Sequence, residues 1–324
     1  MLLMNSSPPR SQSIDQFRGL AIVLMVLANY LAGIGWIPAW LKHAPDVGLT
    51  VIDLVAPLFI FAIGLTYGPS FRRRLLREGA NKTYQHFIIR WAALIGIGAL
   101  FSAGEIAIVG DTSVNWGVLQ AIGVAGLVTL PFLRLPASWR AATGLALLAI
   151  YQVLLEHFWL QSVLHSPHGG LFGSLSWAAM LLLATALADL YLSSSGTQRR
   201  YLLASTLTLV GGILLAFLLP ISKNRVSASY ILVSLGISAL VFAIFHFLVE
   251  RGGLRLPLLT AWGKNPLLLY LLHYLFIGVF FLPGIAAWYA QAAPWLVLAQ
   301  IVFLLGGLSV IAVALERKNW IFSL

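Results

Sequence analysis

The stretch FRGLAIVLMVLANYLAGIG, residues 17–35, decides the class of fold, because no charged residue follows Arg18 within it. A helix of this length is about 28 Å long, which matches the roughly 30 Å hydrocarbon core of a bilayer. The whole chain has the same character, since 60% of its 324 residues are hydrophobic and 9% are charged, against about 25% charged in an average soluble domain. These features predict an integral membrane protein that crosses the bilayer several times.

Polar and basic clusters divide the chain into about ten apolar runs, each long enough to cross a bilayer as a helix. The predicted spans are residues 17–35, 50–69, 87–108, 116–133, 139–158, 174–192, 201–219, 228–249, 265–283 and 294–315. These runs lack the alternation of period two that a membrane β-barrel shows. We therefore predict an all-α, polytopic transmembrane helical bundle that forms a single domain over residues 1–324, with residues 1–14 as a flexible tail.

The distribution of lysine and arginine predicts which connections are cytoplasmic. If the N-terminus is cytoplasmic, all of the 20 lysines and arginines except Lys42, Lys223 and Arg225 fall on that side, as the positive-inside rule requires. An even number of spans then returns the C-terminus to the cytoplasm. Topology thus accounts for the net charge of +10 without a nucleic-acid partner. We expect a multi-pass protein of the cell inner (plasma) membrane, in contact with lipids.

Polar side chains in the first span are candidates for function, because burying them in a bilayer is costly. Asp15, Arg18 and Asn29 share one face of the predicted helix. A structural alternative is an Asp15 to Arg18 surface pair together with a helix-packing hydrogen bond from Asn29.

The connection after the first span contains an unusual polar cluster. The sequence WLKHAPDVGLT, residues 40–50, brings together Lys42, His43 and Asp46, and Asp53 follows closely. A carboxylate near a histidine can fix its tautomer and stabilise the imidazolium ion, which makes the histidine a usable base or nucleophile. The sequence allows this pairing but does not establish it.

The ninth span, WGKNPLLLYLLHYLF, carries Lys264 and Asn265 near its cytoplasmic end and His273 further along. A buried, hydrogen-bonded core histidine is the simpler interpretation of His273. Pro266 suits a helix start, where its missing N–H costs nothing.

A possible metal site lies around the connection EHFWLQSVLHSPHGGLFG, residues 156–173. Its candidate ligands are Glu156, His157, His165 and His168. Zinc normally requires three or four ligands in fixed geometry, and the proline and glycines of this connection indicate an exposed turn. We therefore expect that these side chains bind no metal and that they contact the acceptor or are simply solvated.

Several blocks together resemble the heparan-alpha-glucosaminide N-acetyltransferase family and its bacterial relatives. They are SIDQFRGLAIVLMVLANY (13–30), KHAPDVGLTVIDLVAPLFIF (42–61), GVLQAIGV (117–124), SKNRVSASYILVSLG (222–236), WGKNPLLLYLLHY (262–274) and LERKNWIF (315–322). The resemblance implies an integral membrane enzyme that moves an acetyl group from acetyl-CoA to the amine of a glucosamine on the non-cytoplasmic side. The large extramembrane N-terminal domain of the lysosomal members has no counterpart in this sequence.

The resemblance also implies roles for individual residues. It places the family's catalytic histidine on His43, and the residues that accompany it on Asn29, Asp53, Lys223, Asn265 and His273. We therefore predict catalytic roles for His43, Asn29 and Asp53, acetyl-CoA contacts by Arg18, Arg90, Lys264, Asn265 and His273, and acceptor contacts by Asp46 and Lys223. The family commonly has Trp-Asn where this chain has Asp46 and Val47.

Acetyl transfer to an amine requires a base or nucleophile, a donor to the developing oxyanion and cations for the phosphates of CoA. His43 supplies the first, and Asn29 is the candidate for the second. The sequence leaves open an acetyl-histidine route and direct attack in a ternary complex. O-acetylation of an exported polysaccharide and a transporter without acyl chemistry are alternative functions, and the chain could form a homodimer.

Overall fold

A computed structural model describes residues 11–109, 116–192 and 198–322. Within these ranges the chain is helical and contains no β-strand. The α-helices are α1 (Gln12–Leu31), α2 (Val55–Val109), α3 (Val118–Thr129), α4 (Ala137–Leu154), α5 (Leu160–Leu164), α6 (Gly170–Leu192), α7 (Gln198–Leu215), α8 (Ala228–His246), α9 (Pro257–Lys264), α10 (Pro266–Phe281) and α11 (Pro294–Arg317). The all-α class predicted from the sequence is confirmed for the described residues.

Six of these helical segments are long and apolar enough to cross a membrane, or seven if the bent pair α9 and α10 forms one span. The number differs from the predicted ten for three reasons. Two predicted spans join in α2, which has 55 residues and leaves helical geometry only at Gly79 (φ 80°, ψ 174°). Helix α3 is short, with 12 residues, and α7 is less apolar because it begins with arginines and contains several hydroxyl side chains. Helix α1 begins at Gln12, inside the tail predicted over residues 1–14, whose first ten residues lie outside the described part.

The chain divides into two compact units, and the single domain over residues 1–324 stays a prediction. The terminal unit consists of the described residues up to Gly35 and from Phe242 onward, and the central unit is Trp36–Val241. The helix contacts within each unit are described separately below.

The terminal unit is built around a close contact between α1 and α9. A Cβ atom on Gly19 would lie 2.0 Å from the backbone oxygen of Leu259, and one on Gly263 would lie 1.8 Å from the backbone oxygen of Asp15. Only glycine allows the two helices to approach this closely, as in other small-residue contacts between membrane helices. Both glycines belong to sequence blocks that carry the family resemblance.

A sharp bend of 93° separates α9 from α10. The bend falls at Asn265, where the backbone leaves helical geometry (φ −127°, ψ 51°). The side chain of Asn265 donates to the carbonyl oxygen of Trp320 at 3.0 Å and accepts from the N–H of Phe322 at 2.8 Å. Arg18 donates to the carbonyl oxygen of Gly263 at 3.0 Å. The bond from Arg18 satisfies a carbonyl oxygen at the end of α9 that the break leaves without a helical partner. The bonds of Asn265 tie the bend to the segment that follows α11.

The central unit surrounds α6, most of whose residues are buried. Helices α2, α3 and α4 pack against α6, and Gly64 of α2 is so close that a Cβ atom would lie 2.6 Å from the Cβ of Ala184. The indole of Trp91 packs on Gly126 and donates to the hydroxyl of Tyr67 at 2.7 Å. This rigid helical body holds the connections described next.

Candidate active site

The connection between α1 and α2 carries the polar cluster around His43. It contains two short 3₁₀ turns, Ala39–Leu41 and Ile52–Leu54. Between them Gly48 adopts φ 128°, which favours glycine, and its N–H donates to the carbonyl oxygen of Ile221 at 2.8 Å. The glycine therefore allows this connection to fold against the one that precedes α8.

Asp53 is the buried anchor of the cluster, because its side chain is fully enclosed. One carboxylate oxygen, Oδ2, accepts from the backbone N–H groups of Ala44 at 3.2 Å and Thr50 at 3.0 Å. The other, Oδ1, lies 2.7 Å from Nδ1 of His43. The hydroxyl of the buried Tyr230 donates to the carbonyl oxygen of Asp53 at 2.7 Å. The carboxylate is thus fixed in position and presents one oxygen to the imidazole.

This geometry assigns the tautomer of His43. Since a carboxylate only accepts hydrogen bonds, Nδ1 of His43 carries the proton and Nε2 keeps its lone pair. The side chain of His43 is 40% exposed, so a reactant can reach the imidazole. An oriented imidazole of this kind can act as a general base or as a nucleophile. The predicted pairing of His43 with Asp53 is present.

Asp46 links the His43 connection to the segment before α8. Its carboxylate accepts from Nε of Arg225 at 3.0 Å and from the hydroxyl of Ser222 at 2.9 Å. The hydrogen bond from Arg225 is the main cause that lowers the pKa of Asp46; burial opposes it, and the Ser222 bond and the charge of Arg225 add to it. Asn224 donates to the carbonyl oxygen of Pro45. Asp46, predicted to contact the acceptor, therefore takes part in a tether between two connections.

Lys223 lies in the same tethered segment and is buried, with 8% of its surface exposed. Burial lowers its pKa from 10.5 to about 8, while the negative charge of Asp53 acts in the opposite direction. The ammonium group is therefore close enough to the His43–Asp53 pair to interact with the charge of Asp53. A buried ammonium with a weakened hold on its proton is typical of functional sites.

His168 is a further member of this site, which the sequence offered as a candidate metal ligand with acceptor binding or solvation as its expected role, but did not link to His43. It lies close enough to Lys223 and His43 for their charges to act on it, and its Nδ1 is buried without a hydrogen-bond partner among the described residues. The turn that we expected to be exposed is partly enclosed, because Gly169 and Gly170 are buried. Its only sequence signal was a histidine between a proline and two glycines, a pattern that also describes an ordinary surface turn.

The proposed metal ligands do not gather with His168. The ring of His157 bonds to the carbonyl oxygen of Val153 at 2.9 Å, and that of His165 bonds to the carbonyl oxygen of Gln161 at 2.6 Å. Among the described residues, no group of three or more acidic or histidine side chains could hold a metal ion.

Within the terminal unit, the predicted residues form two groups. Nδ2 of Asn29 lies 2.9 Å from Nε2 of His273, whose Nδ1 bonds to the carbonyl oxygen of Tyr270. The carbonyl requires the proton on Nδ1, so Nε2 of His273 accepts from the Asn29 amide. At the end of α9, Lys264 pairs with Glu316 at 2.8 Å, next to the Gly263 carbonyl that Arg18 binds.

Arg90 belongs to the central unit and stacks its guanidinium over the ring of Trp91, 5.2 Å from the centroid. It lies on α2, beyond the Gly79 break. The central unit therefore brings together His43, Asp46, Asp53 and Lys223, whereas Arg90 packs on an aromatic ring.

Comparison with known proteins identifies the family of the chain. The family profile described as "Heparan-alpha-glucosaminide N-acetyltransferase, catalytic" matches residues 10–219. The chain belongs to this family. The match includes Arg18, Asn29, His43, Asp46, Asp53 and Arg90, whereas Lys223, Lys264, Asn265 and His273 lie beyond it.

Two curated members of the family are similar to part of the chain. The human heparan-alpha-glucosaminide N-acetyltransferase is 36% identical over 132 residues, which cover 39% of this chain and 19% of the human protein. The mouse protein of the same name is 37% identical over 131 residues, or 38% of this chain and 19% of its own length. The aligned segment thus spans about a fifth of these relatives.

Proposed function

We propose that this protein is a transmembrane N-acetyltransferase that moves an acetyl group from acetyl-CoA to the amine of a glucosamine or glucosaminide on the non-cytoplasmic side. The observation that carries the proposal is the His43–Asp53 pair, which leaves Nε2 of an exposed imidazole free of the carboxylate. Membership of an N-acetyltransferase family supports the reaction type.

Two routes are compatible with His43. In the ternary-complex route, Nε2 takes a proton from the acceptor amine, whose nitrogen attacks the thioester carbonyl as the C–S bond breaks and the thiolate of CoA is protonated. In the covalent route, Nε2 attacks the thioester first and releases CoA, and the amine then removes the acetyl group from the imidazole. In both routes Asp53 stabilises the positive charge that develops on His43.

Contacts within each unit support the predicted orientation. In the central unit, Asp46 bonds to Arg225, so two connections predicted to be external lie at one end. At predicted cytoplasmic ends, Arg72 and Arg140 both pair with Asp189. In this arrangement the break at Gly79 separates two spans within α2, which raises the number of spans towards ten.

The terminal unit supports the same orientation. The contacts of Arg18 with Gly263 and of Lys264 with Glu316 join the ends of α1, α9 and α11 that are predicted to be cytoplasmic. Both termini of the described chain are then cytoplasmic, as expected for a multi-pass protein of the inner (plasma) membrane.

The remaining roles stay predictions. Asn29 is the candidate oxyanion donor, and Arg18, Arg90, Lys264, Asn265 and His273 are the candidate contacts to acetyl-CoA. Arg18 and Lys264 would have to exchange the Gly263 carbonyl and Glu316 for phosphate oxygens. Guanidinium and ammonium groups at a membrane interface are suited to such an exchange.

A transfer assay tests the proposal. Purified protein is incubated with labelled acetyl-CoA and, separately, with glucosamine, a glucosaminide or a polysaccharide that offers only hydroxyl groups. We expect label on the amines and its loss in His43→Ala. Label only on the hydroxyls would identify an O-acetyltransferase instead. An absence of both transfer and acetyl-CoA hydrolysis would exclude acyl chemistry and favour a transporter.

A further inference from the structure

The central unit holds a second polar cluster, distinct from His43 and its neighbours. Arg72 forms a two-point ion pair with Asp189, with distances of 2.7 Å and 3.0 Å. Arg140 also donates to Asp189, and its Nε donates to the carbonyl oxygen of Leu135 at 3.1 Å. One carboxylate therefore binds two guanidinium groups.

Arg140 is the critical member of this cluster, because it is only 1% exposed and keeps its charge at any physiological pH. Its Nη1 is buried and makes no hydrogen bond within the part of the chain that the structure describes. A Cβ atom on Gly68 would lie 3.5 Å from Nη1 of Arg72 and 3.8 Å from Nη1 of Arg140. The single carboxylate of Asp189 balances only one of these two positive charges, and the buried donor without an acceptor adds to the cost.

A cavity of about 390 Å³ opens beside this cluster. Arg72, Arg134 and Asp189 line it, together with apolar side chains such as Phe71. Its volume falls in the range of about 300 to 1,000 Å³ that is usual for small-molecule sites. Two arginines and one carboxylate therefore line the cavity, and Arg140 pairs with the same carboxylate without lining the cavity itself. These four side chains together carry an excess of positive charge.

We propose that this arginine cavity, lined by Arg72, Arg134 and Asp189 with Arg140 next to Arg72 behind the wall, binds a phosphate group. Guanidinium groups bind phosphate through paired, charge-assisted hydrogen bonds, and Nη1 of Arg140 supplies a donor that is already desolvated. The phosphate belongs either to the nucleotide part of acetyl-CoA or to the head group of an anionic lipid. The first source rests on the proposed function and would replace the phosphate contacts predicted for Arg18 and Lys264. In the predicted orientation the cavity is at the cytoplasmic end of the central unit.

The test measures two probes on the same variants. Adenosine 3′,5′-bisphosphate binding is measured by calorimetry in a phosphate-free detergent, and retained phosphatidylglycerol is measured by native mass spectrometry. The main variant is Arg134→Gln, because Arg134 is exposed and lines the cavity. A second variant, Arg140→Lys, removes Nη1 but keeps a positive charge beside Asp189. The matched control is Arg200→Gln, an exposed arginine at the start of α7.

We expect one of the probes to bind about 10- to 100-fold more weakly to Arg134→Gln and to Arg140→Lys, as for the loss of a charge-assisted contact. Binding to Arg200→Gln should equal binding to the wild type. A weaker nucleotide interaction identifies acetyl-CoA as the source, and a loss of lipid alone identifies the head group. If neither probe changes, the phosphate site is refuted. Acetyl transfer by the wild-type protein is measured in the same samples. Transfer without any change of binding in the variants refutes this site alone, and altered binding without transfer refutes the proposed function alone.

Discussion

Nδ1 of His43 lies 2.7 Å from Oδ1 of Asp53, and the two side chains differ sharply in exposure: Asp53 is fully buried, whereas His43 is 40% exposed. The carboxylate is held by the backbone N–H groups of Ala44 and Thr50, so it cannot turn away from the imidazole without losing those bonds. The pair therefore combines a fixed orienting group with a reactive atom that solvent and reactants can reach.

Replacement of His43 by alanine should abolish most of the acetyl transfer. We expect a decrease of about 10²- to 10⁴-fold, typical of a missing acid-base group, with acetyl-CoA affinity largely retained. Labelled acetyl-CoA with glucosamine provides the measurement. His157→Ala is the control, because the ring of His157 is exposed and bonds to the carbonyl oxygen of Val153, one turn earlier in its own helix. Normal turnover by His43→Ala would show that the connection is not the catalytic site.

Asp53→Asn should reduce both activity and stability. The carboxylate accepts hydrogen bonds at both oxygens, from the backbone N–H groups of Ala44 and Thr50 and from Nδ1 of His43. An amide has only one acceptor atom, so at least one of these donors loses its partner. We expect unfolding to become easier by about 1 to 3 kcal/mol, the cost of unsatisfied buried donors, and the transfer rate to fall further than the folded fraction does. Thermal unfolding and initial rates on the same samples separate the effects. If the rate falls only as much as the folded fraction does, Asp53 has a structural role and no separate role in catalysis.

The sequence indicated that a His43–Asp53 pair was possible because the two residues lie close together in the chain, and the family resemblance singled out both. It could not predict the contacts that depend on distant segments. The approach of Gly19 to Leu259 and the meeting of Arg72 and Arg140 at Asp189 depend on how helices far apart in the chain pack. The sequence singled out His168 but could not predict that it lies near His43 and Lys223, because these residues are far from it in the chain.

Variants of the Asp46–Arg225 ion pair can show whether Asp46 is a structural tether or a contact to the acceptor. The pair is partly exposed, with 35% and 25% of the two side chains accessible, so its coupling should amount to about 0.2 to 1 kcal/mol. If Asp46 acts only as a tether, Asp46→Asn and Arg225→Gln should have similar effects, and the double variant should be no worse than either. A raised KM for the acceptor in Asp46→Asn alone would instead support the predicted acceptor contact. A double-mutant cycle on stability and KM distinguishes the two.

Lys223 should make stability depend on pH in the alkaline range. Burial lowers its pKa from 10.5 to about 8, against the opposing charge of Asp53. Between these two pH values the unfolded chain retains a proton that the folded protein has released, so the free energy of unfolding rises with pH there. We therefore expect the Tm of the wild type to rise relative to that of Lys223→Met as the pH increases from 8 to 10. A difference that stays constant over this range would show that Lys223 is not desolvated.

His168 should affect the use of the acceptor more than the folding of the protein. Its backbone has φ 55°, a conformation that asparagine also tolerates, so His168→Asn keeps the turn while it removes the imidazole. Because the ring lies near Lys223 and His43 and its Nδ1 has no partner among the described residues, we expect a higher KM for the amine acceptor. Slow hydrolysis of acetyl-CoA without acceptor should stay nearly unchanged. His165→Asn is the matched control, since the ring of His165 is exposed and bonds to Gln161 of its own helical turn. An unchanged KM and kcat in His168→Asn would limit His168 to packing, and equal losses in both variants would point to the turn itself rather than to the imidazole.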